Sequence, residues 1–406
     1  MTTFQKVKLG DLIEKKIKVE IKKGLEYSFV PMENVSPGSK YPKTIETKVF
    51  TGSGSKFADS DTLFARITPC LQNKKIAKVK NLKNGVGFGS TEFFILRAKK
   101  DLADSDYLHY ITRQDDLINT AILSMTGASG RQRANMESIN EFEVEIPDLP
   151  TQTRIASVLS AYDDLIENNE KRIKRLEEMA QLLYTEWFVK FKFPGYEKVK
   201  MLDSGTEYGK IPEGWEVKKL NAIGKAVTGK TPPTGNLDNF DGEVLFIKTP
   251  DIHGNIFVIK TEQTLSSAGS QLQASKLLPE KTVFVSCIGT LGVVGITAKP
   301  SQTNQQINAL VLNDKSDYIF FYFFAKSLKP LLIGLGSNGA TMGNVNKDKF
   351  ENIQLLYPDK KTRQSFFDRT SEMFDEMLTL QQRNEILSQT RDLLIPQLVT
   401  GKRELK

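Results

Sequence analysis

Two long segments of this chain repeat nonpolar side chains at alternating four- and three-residue steps, a period that builds a helix whose stripe must be covered by another helix. From Gln152 to Phe188 the stripe runs Ile155, Leu159, Tyr162, Ile166, Asn169, Ile173, Leu176, Ala180, Leu183 and Trp187, flanked by Glu170, Lys171, Lys174, Arg175, Glu177 and Glu178. About forty residues rising 1.5 Å each make a rod of roughly 60 Å. A second, rougher stripe runs from Gln364 through Phe367, Phe374, Leu378, Gln381, Leu387, Leu394 and Leu398. Pro396 predicts a stop or kink near Ile395, because proline disfavours helix at the residue before it. The economical arrangement pairs the two helices with each other, antiparallel. Asn169 and Gln381 are then polar positions within the seams, either register pins or solvent-facing irregularities. Acidic pairs such as Asp163-Asp164 and Glu177-Glu178 read as solvated flanks.

Each helix closes a longer repeat. Asp106-Tyr107 opens a run that passes through a polar loop, a short apolar strand and a proline into the first helix, and Asp317-Tyr318 opens the same run 211 residues later. Pro147 falls opposite Pro358, Asn135 opposite Asn346 and Phe142 opposite Ile353. Beyond the prolines the second copy reads as one residue longer, Gln152 meeting Gln364 and Asp163 meeting Asp375. Few side chains match before the helices, so a duplicated frame carries two unlike modules.

Short β-branched or alternating runs, Thr62 to Thr68, Glu92 to Arg97, Thr282 to Cys287 and Ile307 to Leu312, predict strands between Gly/Pro/Asn turns. Tyr107 to Ile122 and Tyr318 to Leu332 predict helices, the second so aromatic that it must be largely buried. The expected fold class is α+β: two mixed modules at 1–150 and 214–358, long helices at 151–193 and 359–406, and a polar linker at 194–213. The helices pair as an antiparallel coiled coil in a pseudo-twofold internal repeat.

With 39% hydrophobic residues among 406, each module can bury a core. The 56 Lys and Arg against 49 Asp and Glu leave a net charge of +7, which suits a polyanionic partner without demanding one. Two cysteines and two histidines, each far from its fellow, exclude a zinc site of ordinary spacing and imply no disulfide framework. The expected compartment is the reducing cytoplasm. Met1 to Glu14 lacks the apolar core of a secretory signal, and the most apolar window, Tyr318 to Ala325, is too short to span a membrane.

Gly224-Lys225-Ala226-Val227-Thr228-Gly229-Lys230-Thr231 matches the phosphate-binding pattern G-x-x-x-x-G-K-[ST]. That chemistry needs a helix starting at the lysine, so that free amides aim at phosphate. Pro232-Pro233 followed by Thr234-Gly235-Asn236 is turn chemistry instead, which leaves Lys230 and Thr231 on a basic loop. No dinucleotide fingerprint is present: Gly85-Val86-Gly87-Phe88-Gly89 runs into a strand rather than a helix. Neither histidine sits beside a plausible nucleophile. The chain reads as a binder.

The candidate contacts lie in the loops before the short strands. Ser129, Arg131, Gln132, Arg133 and Asn135 combine flexible backbone with side chains that pair bidentately with guanine or adenine. The second copy offers Ser337, Asn338, Thr341, Asn344 and Asn346, amide-rich but without arginine, so the two loops cannot prefer the same bases. Arg66, Lys74 and Lys75 in the first module, and Lys230, Thr231 and Lys248 in the second, complete the set. For any one of them an ordinary surface turn is the competing interpretation.

The layout resembles the specificity subunit of type I restriction-modification systems over nearly the whole chain. The phrases that carry the resemblance are Gly89-Ser90-Thr91-Glu92-Phe93, Leu183 to Phe191 closing the first helix, Ile211 to Trp215 entering the second module, and Leu393 to Lys402 at the end. The departure is Lys361 to Phe366, which differs from the pattern at Thr151 to Ile155. The resemblance implies that the modules are target-recognition domains, each reading one half of a bipartite, asymmetric sequence in double-stranded DNA. It implies that the helices set the unread spacer and dock two methyltransferase subunits. S-adenosylmethionine and ATP then belong to partners, the modification and the restriction-translocase subunits, and this chain is not itself an enzyme. The competing classes are a phosphate-loop ATPase or ATP-regulated scaffold, resting on Gly224 to Thr231, and a coiled-coil adaptor between two proteins.

Overall fold

The computed structural model describes residues 3–336 and 343–405. It contains two compact units: Met1–Asn168 with Asn384–Lys406, and Asn169–Arg383. Each unit therefore combines one module with a portion of both long helices.

The helices run over Leu149–Tyr184, continued by a π-helical turn at Thr185–Val189, and over Lys360–Val399. They start alike. Asp148 accepts the amide of Thr151 at 3.1 Å and Asp359 that of Thr362 at 3.0 Å, each satisfying a donor that the first helical turn leaves open. Within the first unit, Arg391 meets Asp163 while Asn384 donates to the Ile166 carbonyl at 3.4 Å, so the two chains run antiparallel. In the second unit the Arg172–Glu376 ion pair at 2.6 Å fits the same sense.

Seam burial follows the predicted period on the first helix: Ile155 and Leu159 are buried, and Tyr162, Ile166, Ile173, Leu176 and Leu183 are half-buried. On the second helix Phe374 is buried and Leu387 and Leu394 are half-buried, but Phe366 rather than Phe367 is the fully covered residue. The extra residue expected after Pro358 is absent. Gln152 donates to the Pro147 carbonyl at 3.0 Å and Arg363 to the Pro358 carbonyl at 3.0 Å, so Arg363, not Gln364, stands opposite Gln152. The repeat keeps one offset because position is defined by what a side chain reaches, not by its identity. Pro396 does not end the helix near Ile395. Ile395, Leu398 and Val399 are buried in the first unit's core, and that packing holds the last turn in helix past the missing amide.

Three polar expectations also change. Asp163 is not a solvated flank but is buried, accepting from the Tyr110 hydroxyl at 2.6 Å and from Arg391. Glu177 binds the Tyr322 hydroxyl at 2.7 Å and Lys326 at 2.6 Å. Gln381 pins the helix to its module, exchanging hydrogen bonds with the backbone N–H and C=O of Phe257 at 3.1 and 3.3 Å.

The first module carries a four-stranded sheet, a three-stranded sheet of Ile76–Lys78, Thr62–Ala65 and Phe93–Leu96, and a two-stranded ribbon. The second carries a five-stranded sheet, a three-stranded sheet and one ribbon, while the segment read as a linker holds a ribbon of its own, Met201–Asp203 with Lys210–Pro212. In the closing ribbons Gln5–Lys8 pairs with Glu143–Ile146, and Glu216–Lys219 with Gln354–Tyr357, every residue shifted by the repeat distance. The helices predicted at Tyr107 and Tyr318 are each two: Ser105–Ile111 with Asp115–Leu123, and Tyr318–Ser327 with Lys329–Gly336. Among the described residues no single helix is long and apolar enough to cross a membrane.

His109 is wholly buried, with Nδ1 3.5 Å from the Thr62 hydroxyl. Burial, then the nearby cations Arg113, Lys40, Lys78 and Arg391, hold its pKa well below the ordinary value. The unfolded chain takes up this proton near pH 6.5 and the folded one does not. The stability that the neutral ring supports is therefore full above that pH and declines as pH falls below it, by up to about 1.4 kcal/mol per pH unit. Urea midpoints at pH 7.5 and 5.5 should differ more in the natural chain than in His109→Gln. Equal differences would contradict this.

Candidate nucleic-acid interface

In the first module the polar loop is stitched to the strand Thr62–Ala65 and its continuation. Thr126 and Arg133 exchange backbone hydrogen bonds at 3.1 and 2.9 Å, Thr68 donates to Gln132 at 2.9 Å, and Ala134 donates to Arg66 at 2.8 Å. Ser129 and Arg131 project at the exposed tip. Arg133 forks onto Glu92, with Nη2–Oε1 at 2.6 Å and Nε–Oε2 at 2.9 Å. The Arg66 guanidinium lies over the Phe94 ring at 4.7 Å, and its buried Nε has no partner among the described residues. The structure thus brings Arg66, Arg131, Gln132 and Arg133 together.

The other basic candidates of this module are engaged. Lys74 pairs with Asp115 at 2.6 Å on the surface, and Lys75 donates to the Met32 carbonyl at 3.0 Å. Asn135 uses its side-chain oxygen as a helix cap, accepting from the Glu137 amide at 3.0 Å, and Asn346 does the same for Lys349 at 2.9 Å. The sequence match of these two asparagines is thus a matched pair of helix starts.

The second module repeats the backbone frame with other side chains. Cys287 donates to Gln306 at 2.7 Å, as Arg66 does to Glu92 at 2.9 Å, and Val345 donates to Cys287 at 2.9 Å. Asn344 bridges Ile288 as Arg133 bridges Ile67. Burial pushes the Cys287 thiol up to about 11, so it stays a neutral thiol. Thr231 donates to Gln305 at 2.6 Å, and the Gln306 amide oxygen accepts from Asn304 at 3.1 Å. Lys230 is exposed at the edge of this group, while the Lys248 ammonium turns to Gln263 at 2.8 Å. Ser337, Asn338 and Thr341 lie outside the described residues.

Glu92, Phe94, Gln305 and Gln306 escaped the sequence reading as site residues. Their signal was a pair of polar triplets, Ser90-Thr91-Glu92 and Asn304-Gln305-Gln306, each immediately before an apolar strand.

The phosphate-loop match is a strand. Gly224–Thr228 pairs along its whole length with the strand Ile307–Leu312. A Cβ on Gly229 would stand 2.2 Å from the Asn304 carbonyl oxygen, so this glycine serves close packing rather than a phosphate cradle. Titration with ATP should give no saturable binding, and binding that Lys230→Ala abolishes would reverse this assignment. Among the described residues no group of three or more His, Cys, Asp or Glu could hold a metal ion.

Two modules with one backbone frame and unlike side chains, each joined to long antiparallel helices, have the build of a protein with two recognition modules. The family description "Type I restriction modification DNA specificity domain" matches residues 1–178 and 212–388. The chain belongs to that family and is a type I specificity subunit with two target-recognition domains. It is 29% identical over 370 residues to the specificity subunit of the type I restriction enzyme HindI of Haemophilus influenzae, covering 77% of this chain and 80% of that one. It is 26% identical over 310 residues to the MjaIX specificity subunit of Methanocaldococcus jannaschii, covering 75% and 70%. The crystal structure of a type I system S subunit from M. genitalium shares the fold, with a TM-score of 0.57 at 13% identity over 100% of this chain and 97% of that one.

Proposed function

We propose that each module reads one half of a bipartite, asymmetric sequence in double-stranded DNA, and that the long helices set the number of unread base pairs between the halves. The observation that carries this is the shared backbone frame presenting Arg66, Glu92 and Arg133 in one module and Cys287, Gln306 and Asn344 in the other. One frame with unlike side chains suits two different sequences.

On this reading the chain is a non-catalytic recognition subunit. Two methyltransferase subunits dock on the helices, where Leu182 and Leu393 are 66% and 67% exposed and offer apolar surface to a partner. S-adenosylmethionine is held by those subunits and ATP by restriction-translocase subunits. Base flipping and methyl transfer are then the partner's chemistry.

Replacing Arg131 and Arg133 together by alanine tests the division of labour. The half-site read by the first module should degrade while the other half keeps its sequence. Equal weakening at both halves would make these arginines general phosphate contacts and sink the assignment.

A further inference from the structure

The frame defines three matched positions: Arg66, Glu92 and Arg133 in the first module, Cys287, Gln306 and Asn344 in the second. What stands there differs in hydrogen-bonding kind. In the first module the Glu92 carboxylate grips Arg133 through Nε and Nη2 and Nη1 donates to the Arg131 carbonyl at 3.3 Å, which fixes the guanidinium plane and leaves one N–H on each terminal nitrogen for a ligand. Arg66 is stacked on Phe94 with its buried Nε unpartnered, a donor that nothing else among the described residues satisfies. In the second module the first position is a neutral buried thiol. The other two are carboxamides, Gln306 held through its oxygen by Asn304 at 3.1 Å and more loosely by the Thr249 hydroxyl at 3.5 Å, with its N–H groups left for a ligand, and Asn344 exposed.

We propose that these positions are a matched pair of base-reading cradles: Arg66–Glu92–Arg133 takes a G·C pair in the first half-site, and Gln306–Asn344 an A·T pair in the second. Guanine shows two acceptors, O6 and N7, to the major groove, which match the parallel N–H groups of a guanidinium. Adenine shows one acceptor and one donor, N7 and N6, which match a carboxamide. Glu92 is a positioning residue that acts through Arg133. The inference rests on the half-site reading above.

The test is selection of binding sites from random-sequence duplexes by the full chain assembled with its methyltransferase subunits. Arg133→Lys keeps the charge and loses the fork, and should lower the preference for one G·C position of the first half-site by about tenfold to a hundredfold. The rest of that half and the whole second half should keep their sequence. Gln306→Glu should do the same at one A·T position of the second half only. Unchanged preferences at every position, or equal weakening at all of them, would overturn the assignment. If Arg133→Lys does not assemble, Glu92→Gln, which keeps size and shape, carries the same comparison at the same G·C position. A natural chain that selects no bipartite sequence would overturn the half-site reading itself, which separates the two failures.

Discussion

Replacing Arg391 with alanine should cost the first unit about 3–5 kcal/mol, the range expected when one partner of a buried ion pair is removed. The Arg391 side chain is 1% exposed and that of Asp163 2%. Arg391 also bonds Asp392 at 2.9 Å, and Asp163 accepts from Tyr110 at 2.6 Å with Arg113 a further 3.9 Å away. Truncation therefore strands a carboxylate that water cannot reach, with one hydroxyl and one distant guanidinium for company. The double replacement Arg391→Met with Asp163→Leu should recover most of the loss, because it removes both charges and leaves apolar volume. Urea unfolding of the three chains checks both statements. A single-variant loss below about 1 kcal/mol would mean that Arg113 moves in to replace the missing charge.

Adding one heptad to both long helices should lengthen the unread spacer by about three base pairs and leave both half-sites intact, since seven residues rise roughly 10.5 Å and a base pair 3.4 Å. The Asn384–Ile166 hydrogen bond gives the level for a matched insertion, seven residues after Asn168 and seven before Asn384, which keeps Gln381 on Phe257. A whole heptad returns the stripe to the same face. Insertion between Asn168 and Glu178 in the first helix alone should also lengthen the spacer, with a loss of stability, because the facing segment of the second helix then lacks its partners. Altered half-site sequences, or an unchanged spacer, would break the claim that the helices are the ruler.

The frame was legible because its signals are local: a sustained nonpolar period, prolines before both helices, and the asparagines that turn out to be caps. Pro147, Asn135 and Phe142 stand opposite their counterparts in the structure as in the sequence. The hidden parts are polar groups whose partners lie far along the chain. Arg363, Thr370 and Arg391 are buried positions of the second helix that a search for apolar side chains passes over, and Asp163 looks like a surface acid until Arg391 folds onto it. Glu92 and Arg133 are 41 residues apart, so only the strand pairing reveals that one orients the other. Pro396 misled for the opposite reason: a strong local preference gave way to the burial of Ile395, Leu398 and Val399.

The most direct measurement is a long-read map of methylated bases in cells expressing this chain with its methyltransferase subunit, set against cells with the methyltransferase subunit alone. The account predicts methylation within a bipartite motif, two short half-sites around a fixed unread spacer, that appears only when this chain is present. With both subunits shown to be expressed and associated, methylation that is absent or unchanged by this chain would contradict it and favour an adaptor that never reads DNA.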